Sequence, residues 1–516
     1  MCKETGKLLP NPFKLDISSP VFPKMREKAA AVVHSDVQNT VRREMFGDQI
    51  TWRGNGYGIY EPETDSFNEK IAKAVRDSMV TTLRYPGGIQ GDFFRWRETV
   101  GSERVPQIDP FSDEYPILAE KDGERYYPHF GWDEFLRLCK HNGQDAVVQL
   151  NAGNGTPEEA AALVRYCENA DCKVASYCIG NEVCFKDESV HYMKVNKTPE
   201  EYIRFCLEFF ELISDIRDNI CIGIIGMPTG HMLSYHPDWN EKVLTALGDK
   251  IDFIDCHVGY SVYFAPKEQD ANEICRAHLA SAEAVKRHIE KIKRDIAVYG
   301  GENAGNIEMQ ITEWGPLGPY GNSMPGAVFL SSVLQVMLNE PKLTAASHLP
   351  MLNAPGAPIL VGYRVIDGVE HFWDNTVTHA FRMYASQIGR KVLKTDFTCL
   401  SVNTPRHVGL QPIISCADSA NVAVYFDEDT GKGSIFTVNQ MLDKNMVFDI
   451  RLPFDKIKVE KVTELYSDDL KQVNSPRDPY AVVPNIASGE SDTCAPRVIL
   501  TAKPVSVVKT DFCIAK

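Results

Sequence analysis

Apolar and polar positions along this chain fall into two textures. From about residue 46 to 351, short apolar runs ending in Gly, Asn or His alternate with longer segments whose apolar residues recur every three or four positions. The short runs, at 46–52, 81–87, 146–151, 174–180, 221–226, 253–257, 309–314 and 345–351, predict β-strands. The longer ones, among them 68–79, 132–141, 157–170, 199–218, 240–247, 274–292 and 325–339, predict amphipathic helices. Pro157, Pro199 and Pro325 stand at first-turn positions, where a fixed φ suits a helix and the missing N–H has no partner to lose. Eight such alternations predict an α/β fold, a (β/α)8 TIM barrel over about 41–390. A doubly wound sheet is the competing arrangement of the same pattern.

Beyond about residue 390 the texture changes. Runs at 421–426, 433–438, 446–452, 459–465 and 497–501 are β-rich and separated by Asp, Gly, Lys and Pro, with no long amphipathic helix between them. That pattern predicts a C-terminal antiparallel β-sandwich domain over 391–516. An extended run at 30–34 would add a strand to it, making that domain discontinuous.

Composition narrows the function classes. The 516 residues are 43% hydrophobic and 24% charged, which excludes a disordered or collagen-like chain. Charge runs to 55 Lys+Arg against 70 Asp+Glu, a net of −15, which repels phosphate backbones and anionic lipid, so neither nucleic acid nor membrane is an expected partner. The longest basic cluster, Lys286, Arg287, Lys291, Lys293 and Arg294, alternates with apolar residues at helical spacing and reads as a solvated helix face. Fourteen Cys are present without any C-x-x-C. The nearest thing to a ligand cluster, Cys167, Cys172, Cys178 and Cys184, matches no standard metal spacing, so the thiols read as structural and no metal or cofactor is expected. The first residues lack an apolar core like that of a signal peptide, and no run approaches 18 apolar residues, so the expectation is a soluble, cytoplasmic protein.

In a barrel, reactive groups sit at the C-terminal ends of the strands. Read in order, those ends carry Arg84, Asn151, Asn181 with Glu182, His257 and Glu313. Glu182 and Glu313 fall on the fourth and seventh strands and face each other across the mouth. Two opposed carboxyl groups are what glycoside hydrolysis needs: one protonates the departing oxygen, and the other attacks the anomeric carbon or activates water. Trp314, beside Glu313, offers an aromatic face for a sugar ring. A single strand-end Glu would read as an ion-pair partner; two of them, one after Asn and one before Trp, point to catalysis.

Gly180-Asn181-Glu182 and Thr312-Glu313-Trp314 resemble the paired motifs of the clan A glycoside hydrolases. Leu83-Arg84-Tyr85-Pro86-Gly87-Gly88 resembles the turn found in family 51 of that clan, the α-L-arabinofuranosidases, and Asp252-Phe253-Ile254-Asp255-Cys256-His257 resembles its sixth strand. The resemblance implies a retaining hydrolase with Glu182 as acid/base and Glu313 as nucleophile. It further implies Asn181 on the sugar 2-hydroxyl, Arg84 beneath the nucleophile, His257 tuning the carboxylates and Tyr260 near the sugar. A neutral oligosaccharide substrate and a homo-oligomer, trimer or hexamer, are part of the same implication. The sequence departs from the family at Thr51, where a sugar-binding Glu is usual, and at Ile89, where Asn is usual. Gly259 and Pro350 also replace expected contacts. The sugar is therefore left open: arabinofuranose, or the substrate of a β-xylosidase, an endoglucanase or a rarer furanosidase. A non-catalytic sugar-binding protein on a decayed hydrolase scaffold is the alternative of a different class.

Overall fold

The structure is a computed structural model, and it describes residues 28–108, 125–185, 195–227, 236–259, 270–349, 360–405, 414–487 and 496–515. Eight parallel strands make up a barrel: β1 (Gly47–Gln49), β2 (Thr82–Tyr85), β3 (Asp145–Leu150), β4 (Val174–Ile179), β5 (Ile222–Ile225), β6 (Phe253–Asp255), β7 (Glu308–Trp314) and β8 (Leu343–His348). Because β1 pairs with both β2 and β8, the barrel is closed and no edge is left exposed, which decides against the doubly wound sheet.

Among the described residues eight helices wrap it: α1 (Glu69–Asp77), α2 (Trp132–Asn142), α3 (Pro157–Glu168), α4 (Pro199–Leu212), α5 (Trp239–Leu247), α6 (Ala271–Tyr299), α7 (Met324–Leu338) and α8 (Thr376–Ala385). Their starts follow from local chemistry. The hydroxyls of Thr156 and Thr198 accept from the N–H groups of Glu159 and Glu201, and Glu201 returns a bond to the Thr198 N–H at 2.8 Å, a capping box. The helix α7 is buried on every side because it lies between the barrel and the second domain, where Ser332 donates to Gln440 Oε1 at 3.2 Å. Among the described residues no helix is long and apolar enough to cross a membrane.

The second domain is built on one nine-stranded ladder. Its order is Asn485–Ala487, Ile457–Leu465, Ser506–Ile514, Lys432–Asn439, Ala420–Asp427, Lys391–Thr398, Lys28–Thr40, Met446–Arg451 and Arg497–Ala502. All neighbours are antiparallel except Lys28–Thr40 with Met446–Arg451. One apolar cluster joins Ala29, Ala31, Val424, Ile435, Phe448, Ile450 and Phe512, from strands well apart in that order. The ladder therefore curls over itself into the two layers of a sandwich, helped by register shifts at Val33/Val37 and Val37/Asn39 that bend the N-terminal strand.

Candidate active site

The barrel mouth gathers side chains from β1, β2, β4, β6 and β7. Arg84, at the end of β2, has no exposed surface. Its Nη1 donates to Glu313 Oε1 at 2.6 Å and to Gln49 Oε1 at 3.2 Å, and its Nη2 donates to Asn181 Oδ1 at 2.6 Å. A buried cation is tolerable only with acceptors such as these, and here its Nε alone has no partner among the described residues. Burial works against the charge, but Glu313 and Asp255 outweigh it and hold the guanidinium pKa above its ordinary value. The turn after β2 comes in close because Gly87 has φ +74° and a Cβ there would lie 2.8 Å from Gln49 Oε1. Gln49 completes the brace by donating to the Thr312 carbonyl at 2.9 Å.

Glu182 and Glu313 meet at His257. His257 Nδ1 lies 2.9 Å from Glu182 Oε1 and 3.7 Å from Glu313 Oε2. Its Nε2 lies 3.2 Å from Thr312 Oγ1. The Thr312 hydroxyl has one proton and gives it to Asp255 Oδ2, so its oxygen must accept from an Nε2–H of His257. Asp255 also accepts from the Thr312 N–H at 2.9 Å. With Nε2 fixed as a donor, Nδ1 is the nitrogen that can gain or lose a proton toward the two glutamates. Burial alone would depress the His257 pKa, but Glu313, Asp255 and Glu182 outweigh it and lift it to about 10. Asp255 is likewise buried against its charge, yet His257, Arg84 and Thr312 pull its carboxyl below the usual range. Thr312 and Glu313, neighbours in the chain, both serve the site because β7 carries a register shift against β8 between Ile311 and Trp314.

The raised His257 pKa has a consequence for stability. A group raised in the folded state stabilises fully below its unfolded value, here about 6.5, and loses that contribution as pH rises through about 10. Wild-type protein is expected to lose more denaturant resistance than His257→Gln between pH 7 and 10.5. Parallel stability curves for the two would refute it.

The remaining expected site residues divide. Asn181 Oδ1 is held by Arg84, while its Nδ2 is buried without a partner among the described residues and stands ready to donate. Asn151 is a correction: its Oδ1 accepts from the N–H groups of Gly153, Asn154 and Gly155, and its Nδ2 donates to Phe94 O and Asn154 Oδ1, so its polar atoms build the loop after β3 and none is left for a sugar. Trp314 is also corrected. It is fully buried, edge-on to His348 at 5.5 Å between ring centroids, and presents no stacking face. Tyr260 and Pro350 lie outside the described residues. Thr51 is buried and donates to Gln90 Oε1 at 2.8 Å, and Ile89 packs with Phe93 and Val195, so neither puts a carboxylate or amide of its own in the mouth. Residue-by-residue reading passed over Asp255, Thr312 and Gln49. The available signal was Asp255 two residues before His257, on the same face of a strand.

A closed (β/α)8 barrel whose mouth holds two glutamates on β4 and β7, one of them clamped by a buried arginine, is that of a glycoside hydrolase. Comparison with known proteins agrees. Residues 74–196 match the family model described as Alpha-L-arabinofuranosidase 1 domain, and residues 315–506 match Alpha-L-arabinofuranosidase C-terminal domain. An exo-alpha-(1->6)-L-arabinofuranosidase of Bifidobacterium longum is 26% identical over 93% of this chain and 96% of its own. An intracellular exo-alpha-(1->5)-L-arabinofuranosidase of Halalkalibacterium halodurans is 23% identical over 85% of this chain and 90% of its own. The α-L-arabinofuranosidase of Thermotoga maritima, solved as an arabinose complex, shares the fold with a TM-score of 0.77 at 21% identity, covering 94% of this chain and 99% of its own. The chain is an α-L-arabinofuranosidase-like member of glycoside hydrolase family 51.

Proposed function

We propose that this chain is an exo-acting, retaining α-L-arabinofuranosidase that frees terminal arabinofuranose from short neutral oligosaccharides in the cytoplasm. The observation that carries it is the spacing of the carboxylates: an oxygen from each of Glu182 and Glu313, together with a ring nitrogen of His257, all lie within 4.8 Å of one another. Inverting enzymes hold their carboxyl groups about 6.5–9.5 Å apart to admit water, and retaining ones about 5–5.5 Å. In the first step Glu313, ion-paired with Arg84, attacks the anomeric carbon. The bond to the leaving oxygen breaks as the ester to Glu313 forms, and Glu182 protonates that oxygen. The proton is held within the Glu182–His257 pair, because only Nδ1 of the ring is free to exchange it. In the second step ionised Glu182 takes a proton from water, whose oxygen displaces Glu313 and restores the original configuration. Asn181 Nδ2 donates to the hydroxyl beside the anomeric carbon, a contact that strengthens as positive charge develops there.

The names of the relatives support the furanose and the exo action, and the intracellular name of one supports the compartment. Thr51 and Ile89 favour a second reading, the same chemistry on another sugar. A panel of aryl glycosides of arabinofuranose, galactofuranose, xylose and glucose separates the two. On the preferred sugar, Glu182→Ala should lower kcat/KM for a phenyl leaving group by about 10²–10⁴-fold and that for a dinitrophenyl group far less, since the latter departs without a proton. Equal losses on both would rule out Glu182 as the acid. A homo-oligomer, trimer or hexamer, belongs to the same proposal and is tested by sedimentation.

A further inference from the structure

The double displacement leaves one buried carboxyl beside the site unused. Asp92 closes the short 3-10 turn Ile89–Asp92 after β2 and is 1% exposed. The loop after β3 grips its backbone: the Asn154 N–H donates to its carbonyl at 3.0 Å, and a Cβ on Gly153 would lie 2.6 Å from the Asp92 Cβ. On its other side Oδ1 faces Gly180, where an added Cβ would lie 3.8 Å away, and Gly180 turns the chain with φ +87°. The backbone N–H of Asn181 is the donor beside the carboxyl, yet among the described residues Oδ1 is left without a well-formed hydrogen bond. Ile89, Phe93 and Val195 form an apolar cluster next to it. An apolar side chain would fill such a space at lower cost than an incompletely partnered acid.

We propose that Asp92 is a positioning residue: wedged beneath the bend Gly180-Asn181-Glu182, its carboxyl sets the height and tilt at which Glu182 meets the departing oxygen. This rests on the hydrolase reading given above. The groups facing it are Arg84 from β2, Glu182 from the bend, Lys197 from the segment returning to α4, and the thiols of Cys178 and Cys184. Burial drives the Asp92 carboxyl up to about 7; Arg84 and the Asn181 N–H restrain that rise, Glu182 adds to it, and Lys197 opposes it. Ionised, Asp92 is a strong acceptor for the Asn181 N–H and is drawn to Arg84 and Lys197; protonated, it loses most of both. The bend is therefore held more firmly as pH rises through about 7.

The test compares the full-length wild type with Asp92→Asn and Asp92→Ala on phenyl and dinitrophenyl α-L-arabinofuranosides. Asn keeps the shape and an acceptor oxygen but cannot ionise; Ala removes both, and Asp92→Ser replaces either if it does not fold. Because kcat/KM reports the first step, it should fall about 10- to 100-fold for the phenyl substrate and less than about twofold for the dinitrophenyl one, a weaker copy of Glu182→Ala. KM should change little. The wild-type inflection near pH 7 should be absent from the Asp92→Asn profile. Equal losses on the two leaving groups, or an unchanged pH profile, would overturn the assignment. Wild type that hydrolyses no aryl glycoside of arabinofuranose, galactofuranose, xylose or glucose would instead sink the hydrolase reading itself, and the role of Asp92 with it.

Discussion

Glu313→Gly is expected to lower turnover of an aryl glycoside by at least about 10⁴-fold, with sodium azide restoring part of the rate as a glycosyl azide of inverted configuration. The vacated side chain leaves room for a small anion at the face of the sugar that Glu313 would attack. An activated leaving group needs no second catalyst to complete the substitution. The same variant carries a stability cost, because Arg84 loses its principal counter-ion inside the barrel. Removing one partner of a buried pair typically costs about 3–5 kcal/mol. Glu313→Gln separates the two effects: its amide oxygen can still accept from Arg84 Nη1, so activity should fall as far while the unfolding midpoint falls less. Full activity in either variant without azide would exclude Glu313 as the nucleophile.

Arg84→Met should be costly in both respects. It leaves Glu313 charged and buried without a cation, and it strips a donor from Gln49 Oε1 and Asn181 Oδ1. A loss of about 3–5 kcal/mol in unfolding free energy is expected from chemical denaturation. Without the guanidinium, Glu313 loses the charged donor that holds its Oε1 at 2.6 Å, so kcat/KM should fall as well. Arg84→Lys keeps a charge but cannot reach Glu313 and Asn181 together, so it should recover part of the stability and less of the rate. An unchanged kcat/KM in Arg84→Met would show that the arginine is only a structural strut.

The candidate site was legible where strand ends carry charge. Glu182 and Glu313 stand out because an acid at the end of an apolar run is conspicuous, and their strand numbers place them opposite each other. The supporting shell was less legible. Asp255 and Thr312 sit inside apolar runs, and their purpose is visible only once β6 and β7 lie side by side. Asn151 misled because an asparagine at a strand end suits a sugar equally well and a tight loop; only the loop geometry shows three backbone N–H groups converging on its carbonyl oxygen. Trp314 misled for a different reason. The strand is irregular between Ile311 and Trp314, and where regular pairing resumes Trp314 is turned into the core against His348. The helix α8 was not among the predicted helices, and burial does not set it apart, since α7 is buried on every side and was predicted.

The N-terminal strand Lys28–Thr40 lies between partners at Lys391–Thr398 and Met446–Arg451. During synthesis at about 5–20 residues per second, the second partner emerges roughly 20–80 s after the strand itself. All eight barrel strands are made within that interval, ending with His348, while the apolar face formed by Ala29, Ala31 and Val33 has nothing to cover it. Chains released after His348 but before Lys391–Thr398 has been made would therefore carry all eight barrel strands with an unpaired apolar strand at Lys28–Thr40. Such a product is a template for aggregation, so full-length translation, rather than completion of the catalytic barrel, sets the yield of usable protein.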